Sequence, residues 1–373
     1  MITKRKPHIA FTGIRGIPAS YSGFETFVEN FARILVKFGF KVTVYNRSSY
    51  NKKRKDSFYG VQIVSLPTIK NKFLDTFIHT FLALLHSFTK KYDLIYICGV
   101  GNSLLSFMPR LLGKKVILNV DGLDWRREKW EPFAKKFLKF SERISICFPN
   151  ITLTDSKTVK TYYKKNYQKN IHCIPYFVQI RKSSSRETLK QYHLTKDKYI
   201  LFVGRLVPEN NVHQLISAYQ RIETDCKLVI IGDAPYSKQY INNIKQYQND
   251  RIIFTGYLFK KAYQELSSHA YFFVLPGRAG GTRVVLLEQM ALGNCILVNN
   301  SPNNLEVLEE YGLSYDGLKK EETLVDSLNY LLNHPEVIEQ YRKKVRERIR
   351  KQYALRKVLE AYERLFTQLG IYK

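Results

Sequence analysis

Residues 276–293, PGRAGGTRVVLLEQMALG, follow the apolar run 271–275 and pass through Gly277, Gly280 and Gly281 into a segment of helical periodicity. A glycine-rich turn from strand to helix leaves backbone N–H groups open beside the positive end of the helix dipole. That is an anion site, and phosphate is its obvious guest. Thr282 reads as the N-cap of the helix. Within it, Glu288 stands among Val284, Val285, Leu286, Leu287, Met290, Ala291 and Leu292, where a carboxylate needs a partner. It either lies on a solvated edge or caps a neighbouring loop, or it accepts from sugar hydroxyls beside the phosphate. Arg205, in the segment VGRLVPENN, comes at the end of a strand, where α/β domains put ligands. Arg283 is either a second cation for the anion or a surface arginine. Asp233, in Gly232-Asp233-Ala234 at another strand end, lines a nucleotide pocket or caps a helix.

A second set of reactive side chains lies in the first half. Residues 119–130, NVDGLDWRREKW, begin at a strand end and are dense in acids, bases and tryptophan. Carboxylate hydrogen bonds plus aromatic stacking are how sugars are held, so Asp124, Trp125 and Arg127 are the acceptor-site candidates. Asp121 is the first choice for a polar group beside a reacting centre, as general base or as electrostatic support for a transition state that gains positive charge. Asp155, in Thr154-Asp155-Ser156, is the second, and a helix N-cap explains it equally. Tyr176, at the domain boundary, is a lesser candidate. The chain has no Asp-x-Asp and no other metal-ligand spacing, and its eight histidines form no cluster. No metal site is therefore expected: Arg205, main-chain amides and a helix dipole would handle phosphates.

These residues must be positioned by alternating strands and helices. Strands are expected at 8–12, 41–45, 61–65, 94–98, 115–120 and 151–154, with helices at 27–38, 73–88, 103–112, 131–147 and 157–165. A second set of strands runs 199–203, 227–231, 251–254, 271–275 and 296–298, and long helices follow at 335–353 and 355–369. Alternation of this kind builds doubly wound parallel sheets, here two of them facing one cleft. The linker falls at 179–187, giving domains 1–178 and 179–354. The opening strand, glycine loop and helix have a Rossmann form, but the loop is too long for GxGxxG and carries Pro18, and no acid follows the next strand to hold a ribose. That disfavours a dinucleotide-dependent oxidoreductase or epimerase.

Composition bounds the partners. Sixty Lys and Arg against 32 Asp and Glu give a net charge of +28, which implies an anionic partner. A nucleic-acid-binding protein is one alternative, motivated by that charge and by 26 Tyr and 23 Phe, but no RNP, helix-turn-helix or zinc-finger pattern is present, so nucleic acid is not an expected partner. The five cysteines are widely spaced and read as reduced core residues. The basic leader is followed by a short strand instead of a signal-peptide core, and the apolar run 73–88 falls short of a membrane span. A cytoplasmic protein is expected.

The segment 276–293 resembles the donor-binding loop and helix of the retaining, nucleotide-sugar-dependent glycosyltransferases of family 4. That resemblance covers nearly the whole chain and implies the GT-B fold, with amides near Gly281 and Thr282 holding the diphosphate, Glu288 on the ribose, and the last helix, 355–373, completing the first domain. The family's usual first glutamate is Gly280 here. VGRLVPENN is similar to the family's GR-x-x-x-E-K motif, whose Arg and Lys neutralise the departing diphosphate, with Asn210 in place of the Lys. The loop GIRGIPASYSGFET and the segment 119–130 resemble one branch, containing rhamnosyltransferases of bacterial surface-polysaccharide assembly. In that branch Arg15, Gly16 and Glu25 face the sugar and acceptor cleft. The resemblance implies a retaining, metal-independent transfer, without a cofactor, of L-rhamnose from dTDP-L-rhamnose to a polyprenyl-diphosphate-linked sugar. A UDP-hexose or UDP-N-acetylhexosamine donor is the alternative. Finally, Lys52 to Lys55, Lys70, Lys72, Lys90, Lys91, Arg126, Arg127, Lys135 and Lys136 surround Phe73, Phe77, Phe81, Leu84, Leu85 and Phe88, with Trp125, Trp130, Phe133 and Phe137 nearby. This reads either as a core helix or as a face resting on an anionic membrane surface, peripheral on the inner leaflet.

Overall fold

The computed structural model describes residues 6–20, 23–50, 56–69, 71, 74–127, 130–234, 237–278, 281–318 and 321–371. Lys52 to Lys55, Lys70, Lys72, Phe73 and Gly280 lie outside the described residues. The chain divides into two compact units, one made of Met1–Tyr176 with Arg356–Lys373, the other of Phe177–Leu355.

In the first unit, eight strands form one sheet: β1 (His8–Thr12), β2 (Lys41–Arg47), β3 (Ser57–Phe58), β4 (Val61–Leu66), β5 (Leu94–Cys98), β6 (Lys115–Asn119), β7 (Ile151–Thr154) and β8 (His172–Cys173). Their order is β3-β4-β2-β1-β5-β6-β7-β8, parallel throughout except for the β3–β4 hairpin. β1 and β5 are sealed on both faces, as continuous apolar runs in a parallel sheet require. Alternation sends Phe11 and Tyr96 to one face. There they meet Phe27 and Phe31 of the helix Gly23–Lys37, and Tyr362 and Phe366 of the helix Leu355–Gln368. Phe31 and Tyr362 have ring centroids 4.4 Å apart, and the Tyr96 and Tyr362 hydroxyls are bonded at 3.1 Å. Ala10, Ile95, Ile97, Val116 and Leu118 face the other way, into a core with Ala83, Leu84, Leu105, Met108, Leu138, Val159 and Tyr163.

The second unit holds β9 (Tyr199–Val203), β10 (Lys227–Ile231), β11 (Ile252–Gly256), β12 (Phe272–Leu275), β13 (Cys295–Asn299) and β14 (Leu313–Tyr315), all parallel, in the order β11-β10-β9-β12-β13-β14. This is the doubly wound order, in which winding reverses direction between β9 and β12. A sheet built so opens a crevice at the carboxyl ends of those two strands. In the first unit the reversal falls between β1 and β5.

Some elements depart from expectation. β3, β8 and β14 are two or three residues long, too short to leave a periodic signal. The expected helix 103–112 is a 3-10 stretch, Val100–Ser106, running into the short helix Phe107–Leu111. The helix expected from residue 27 already begins at Gly23.

Candidate functional site

At the β9–β12 reversal, the turn after β9 brings Arg205 to the crevice, and the turn after β12 leads through Pro276 and Gly277 to Gly281 and Thr282. Asn210 ties the two together. Its Nδ2 donates to the Arg205 carbonyl at 2.7 Å, and its Oδ1 accepts from Arg283 Nη1 at 3.0 Å. The Arg283 guanidinium lies against the chain at Gly277, where a Cβ would stand 2.6 Å from Nη2 and push the guanidinium aside. The Arg205 guanidinium is 3.7 Å from buried Glu209. Asn210 thus ties the main chain at Arg205 to the side chain of Arg283. The turns are braced from behind by Asn211, which donates to the Pro276 carbonyl at 3.2 Å, and by Asn304, which donates to the Gly277 carbonyl at 3.1 Å.

The helix Val284–Leu292 begins one residue later than expected. Arg283, not Thr282, is its N-cap, and no side chain caps it; Thr282 is buried just ahead of it. Gly281 is buried beside Thr282, while Gly280 is not described. Glu288 is half-buried and accepts a 2.6 Å hydrogen bond from the Tyr263 hydroxyl. Burial pushes its carboxyl up to about 7, against the opposing pull of that hydrogen bond. Behind the pair, buried Gln289 donates to Tyr263 and to Ser267. Sequence gives no hint of Tyr263, because the contact closes over 25 residues. Asp233 accepts from the adjacent Ala234 N–H at 2.7 Å with its carboxylate, so it caps its own turn, and its carbonyl accepts from Leu206 N.

In the first unit, the β1 loop is held by side chains behind it. Glu25 is buried and accepts from the Arg15 N–H at 2.9 Å. Its carboxylate thus holds the main chain of the loop at Arg15. Asn46 accepts from Ile17 N and donates to its carbonyl, and Gly16 (φ +144°) packs so close that a Cβ would lie 2.5 Å from the Asn46 amide carbon. Arg15 is half-buried, and its carbonyl accepts from Arg47 N.

Past β6, Asp121 adopts a left-handed backbone (φ +58°). Its N–H donates to Asn119 Oδ1 at 3.0 Å and its carbonyl accepts from Thr154 at 2.9 Å. Its carboxyl is hydrogen-bonded to that of Asp155, which is buried at the end of β7. Burial foremost, then Asp155 and Asp124, hold the Asp121 carboxyl well above the usual range, and Arg127 works against them. Two carboxyls in such contact keep one proton between them, leaving a site that can both accept and donate to hydroxyls. The Tyr176 hydroxyl, buried and without a partner among the described residues, feels both acids. Asn119 continues the network, donating to Tyr96 at 3.0 Å.

Asp124 and Arg127 pair with each other at 3.3 Å. Trp125 is committed elsewhere. Its indole N–H donates to buried Glu142 at 2.8 Å, while Lys139 and Arg126 lie over its ring at 4.6 and 5.2 Å. Glu142 also takes Lys139 at 2.7 Å and the hydroxyls of Tyr162 and Tyr167. The stacking platform expected for a sugar is therefore a clamp that fixes the 121–127 loop. Among the described residues no cluster of His, Cys, Asp and Glu could hold a metal ion.

Residues 184–352 match the family model described as glycosyl transferases group 1, and residues 6–178 match a domain of unknown function, DUF1972. The first match covers most of the second unit and the other most of the first. Over 98% of its length the chain superposes on 99% of sucrose-phosphate synthase from Thermosynechococcus elongatus, with TM-score 0.84 and 17% identity. Over 96% it superposes on 99% of Anabaena HepE in complex with UDP-glucose, with TM-score 0.79 and 14% identity. The fold is GT-B. In sequence the chain is 27% identical, over 41% of its length, to a Campylobacter jejuni enzyme, N-acetylgalactosamine-N,N'-diacetylbacillosaminyl-diphospho-undecaprenol 4-alpha-N-acetylgalactosaminyltransferase. The chain spans 42% of that relative.

Proposed function

We propose that this chain is a retaining glycosyltransferase that moves a sugar from a nucleotide diphosphate to a lipid-linked saccharide, without a divalent ion. One observation carries the reading: the turn that bears Arg205 is joined through Asn210 to the side chain of Arg283 beside an uncapped helix start, at the topological reversal of a doubly wound sheet. As the bond from sugar to phosphate breaks, charge grows on the diphosphate, and two fixed cations with open amides stabilise that charge more than the ground state. Arg283 supplies the cation that the lysine of the GR-x-x-x-E-K pattern would bring. Glu288, held by Tyr263, accepts from the ribose. The acceptor hydroxyl attacks from the face the diphosphate leaves, and its proton passes to the departing phosphate oxygen as the sugar–phosphate bond breaks, so no covalent intermediate forms. The Asp121–Asp155 pair stands as the polar group for acceptor hydroxyls.

The lipid-linked acceptor rests on the Campylobacter relative, whose name specifies a diphospho-undecaprenol substrate. dTDP-L-rhamnose is the donor we favour, on the loop 13–26 and the segment 119–130. A UDP-hexose is the second reading, since HepE is a structural neighbour seen with UDP-glucose. Thermal-shift and donor-hydrolysis screening across dTDP-, UDP- and GDP-sugars, with and without EDTA, tests both. A dTDP-sugar is expected to stabilise and to turn over in EDTA. Silence with every nucleotide sugar, or activity restored only by Mg²⁺ or Mn²⁺, would overturn the proposal.

A further inference from the structure

Three helices of the first unit carry a surface that this chemistry does not use. The helix Asp75–Phe88 buries His79, Thr80, Ala83, Leu84 and Ser87 against the sheet. On such a helix the opposite side should be charged. Here it presents Phe81, Leu85 and Phe88, with Leu74 just ahead of the first turn, and no charged residue follows Asp75 until Lys90. Next to it, the helix Phe107–Leu111 exposes Phe107 and Leu111, the latter 74% accessible, and Leu112 beyond its end. The helix Pro132–Ile144 exposes Phe133, at 83%, and Phe140. All three belong to one layer: Ala83, Leu84, Leu105, Met108 and Leu138 enter the same core cluster, and the rings of Phe77 and Phe137 meet at 6.1 Å. Nine of the 17 exposed large hydrophobic side chains among the described residues lie on these helices and their immediate flanks. An apolar concentration of that kind marks a contact surface.

Charge chooses the occupant. The segments 74–91, 107–114 and 131–147 carry eight Lys or Arg against three acids. Of those acids, Asp75 is bound to Arg47 at 2.5 Å and buried Glu142 is paired with Lys139 at 2.7 Å, which leaves Glu131 against seven Lys or Arg. A second copy of this face would bring like charges together. Leucines and an unstacked phenylalanine stripe offer nothing to bases. A leaflet of anionic lipid satisfies both features at once, with acyl chains for the side chains and phosphates for the cations.

We propose that these three helices rest on the surface of an anionic bilayer and hold the enzyme there without crossing it. No described helix is long and apolar enough to span a membrane. The occupied residues differ from those the sequence suggests. Leu84 belongs to the core, Phe77 and Phe137 pack on each other, and Trp125 is clamped by Glu142, whereas Leu74, Phe107, Leu111, Leu112 and Phe140 join the face. The inference stands on this surface alone, and donor hydrolysis, measured separately, reports on the catalytic reading.

The test is co-sedimentation of the full chain with phosphatidylcholine vesicles, with and without phosphatidylglycerol. Wild type is expected to bind only the anionic vesicles and to be released by salt. Lys135→Glu with Lys136→Glu should lower partitioning at least tenfold, at about fivefold per lost charge. Phe81→Ser with Leu85→Ser should lower partitioning onto the anionic vesicles at low salt at least tenfold. Both pairs should keep the wild-type melting temperature and donor hydrolysis. Equal binding to neutral vesicles, no binding at all, unchanged partitioning of both folded variant pairs, or a concentration-dependent dimer that these substitutions dissolve would each overturn the proposal.

Discussion

Asn210 is the residue at which the donor reading can be tested most sharply, because it receives Arg283 where a lysine would otherwise stand. Asn210→Lys puts two cations in contact and removes the bond that orients Arg283, so turnover should fall. Arg283→Ala should cost about 2–4 kcal/mol of transition-state stabilisation. Combined, the two substitutions should recover activity relative to either alone. Steady-state kinetics of the double-mutant cycle would show it, and strictly additive losses would mean that the two positions do not share a charge. Asp121 makes a different prediction. Its carboxyl is held above its unfolded value, so ionisation opposes folding at neutral pH, and the penalty vanishes below about pH 4, where the unfolded chain also binds the proton. Asp121→Asn, which tolerates the left-handed backbone, should therefore lower kcat while raising the melting temperature at pH 7 but not at pH 4. Calorimetry at the two pH values checks this. For Glu288, raised to about 7, accepting from a ribose favours the carboxylate. Nucleotide affinity should weaken as pH falls through 7, and Glu288→Gln should flatten the titration.

At the scale of elements, the clamp around Glu142 joins the 121–127 loop to the helices Pro132–Ile144 and Lys157–Tyr167. Glu142→Ala removes the buried carboxylate that gathers Trp125, Lys139, Tyr162 and Tyr167, and since Lys139 stays partly exposed the loss should be about 1–3 kcal/mol, read as a fall in denaturant midpoint. None of this was legible in the sequence. Trp125 beside acids and arginines looks like a sugar platform until partners 14 and 17 residues away are brought to it by folding. Thr282 has the right chemistry for an N-cap, but the turn at Gly277 delays the helix by one residue. The strands that support the sites were readable, because buried parallel strands are uninterrupted apolar runs bounded by glycine and polar turns. Periodicity found the helix Asp75–Phe88 too, but it could not apportion its apolar residues between core and surface, since both sides are apolar.

Across the whole molecule, the first unit is discontinuous in sequence and the second is not. Tyr362 bonds to Tyr96 over a separation of 266 residues, and Phe366 packs on Phe31 and Phe40. The order of synthesis then runs against the order of the chain. The second unit is fully made while the amino-terminal sheet still lacks the helix that covers its Phe11 and Tyr96 face. That face must wait, with its aromatic side chains uncovered, until residues 356–371 leave the ribosome. A chain stopped after Leu355 should accordingly yield a nucleotide-binding second unit attached to an aggregation-prone first one. Supplying the missing helix as a peptide during refolding should restore solubility, measured by light scattering. The newborn protein thus passes through a period in which the second unit is finished and the first still depends on residues 356–371, and this is where a chaperone's hold would matter most.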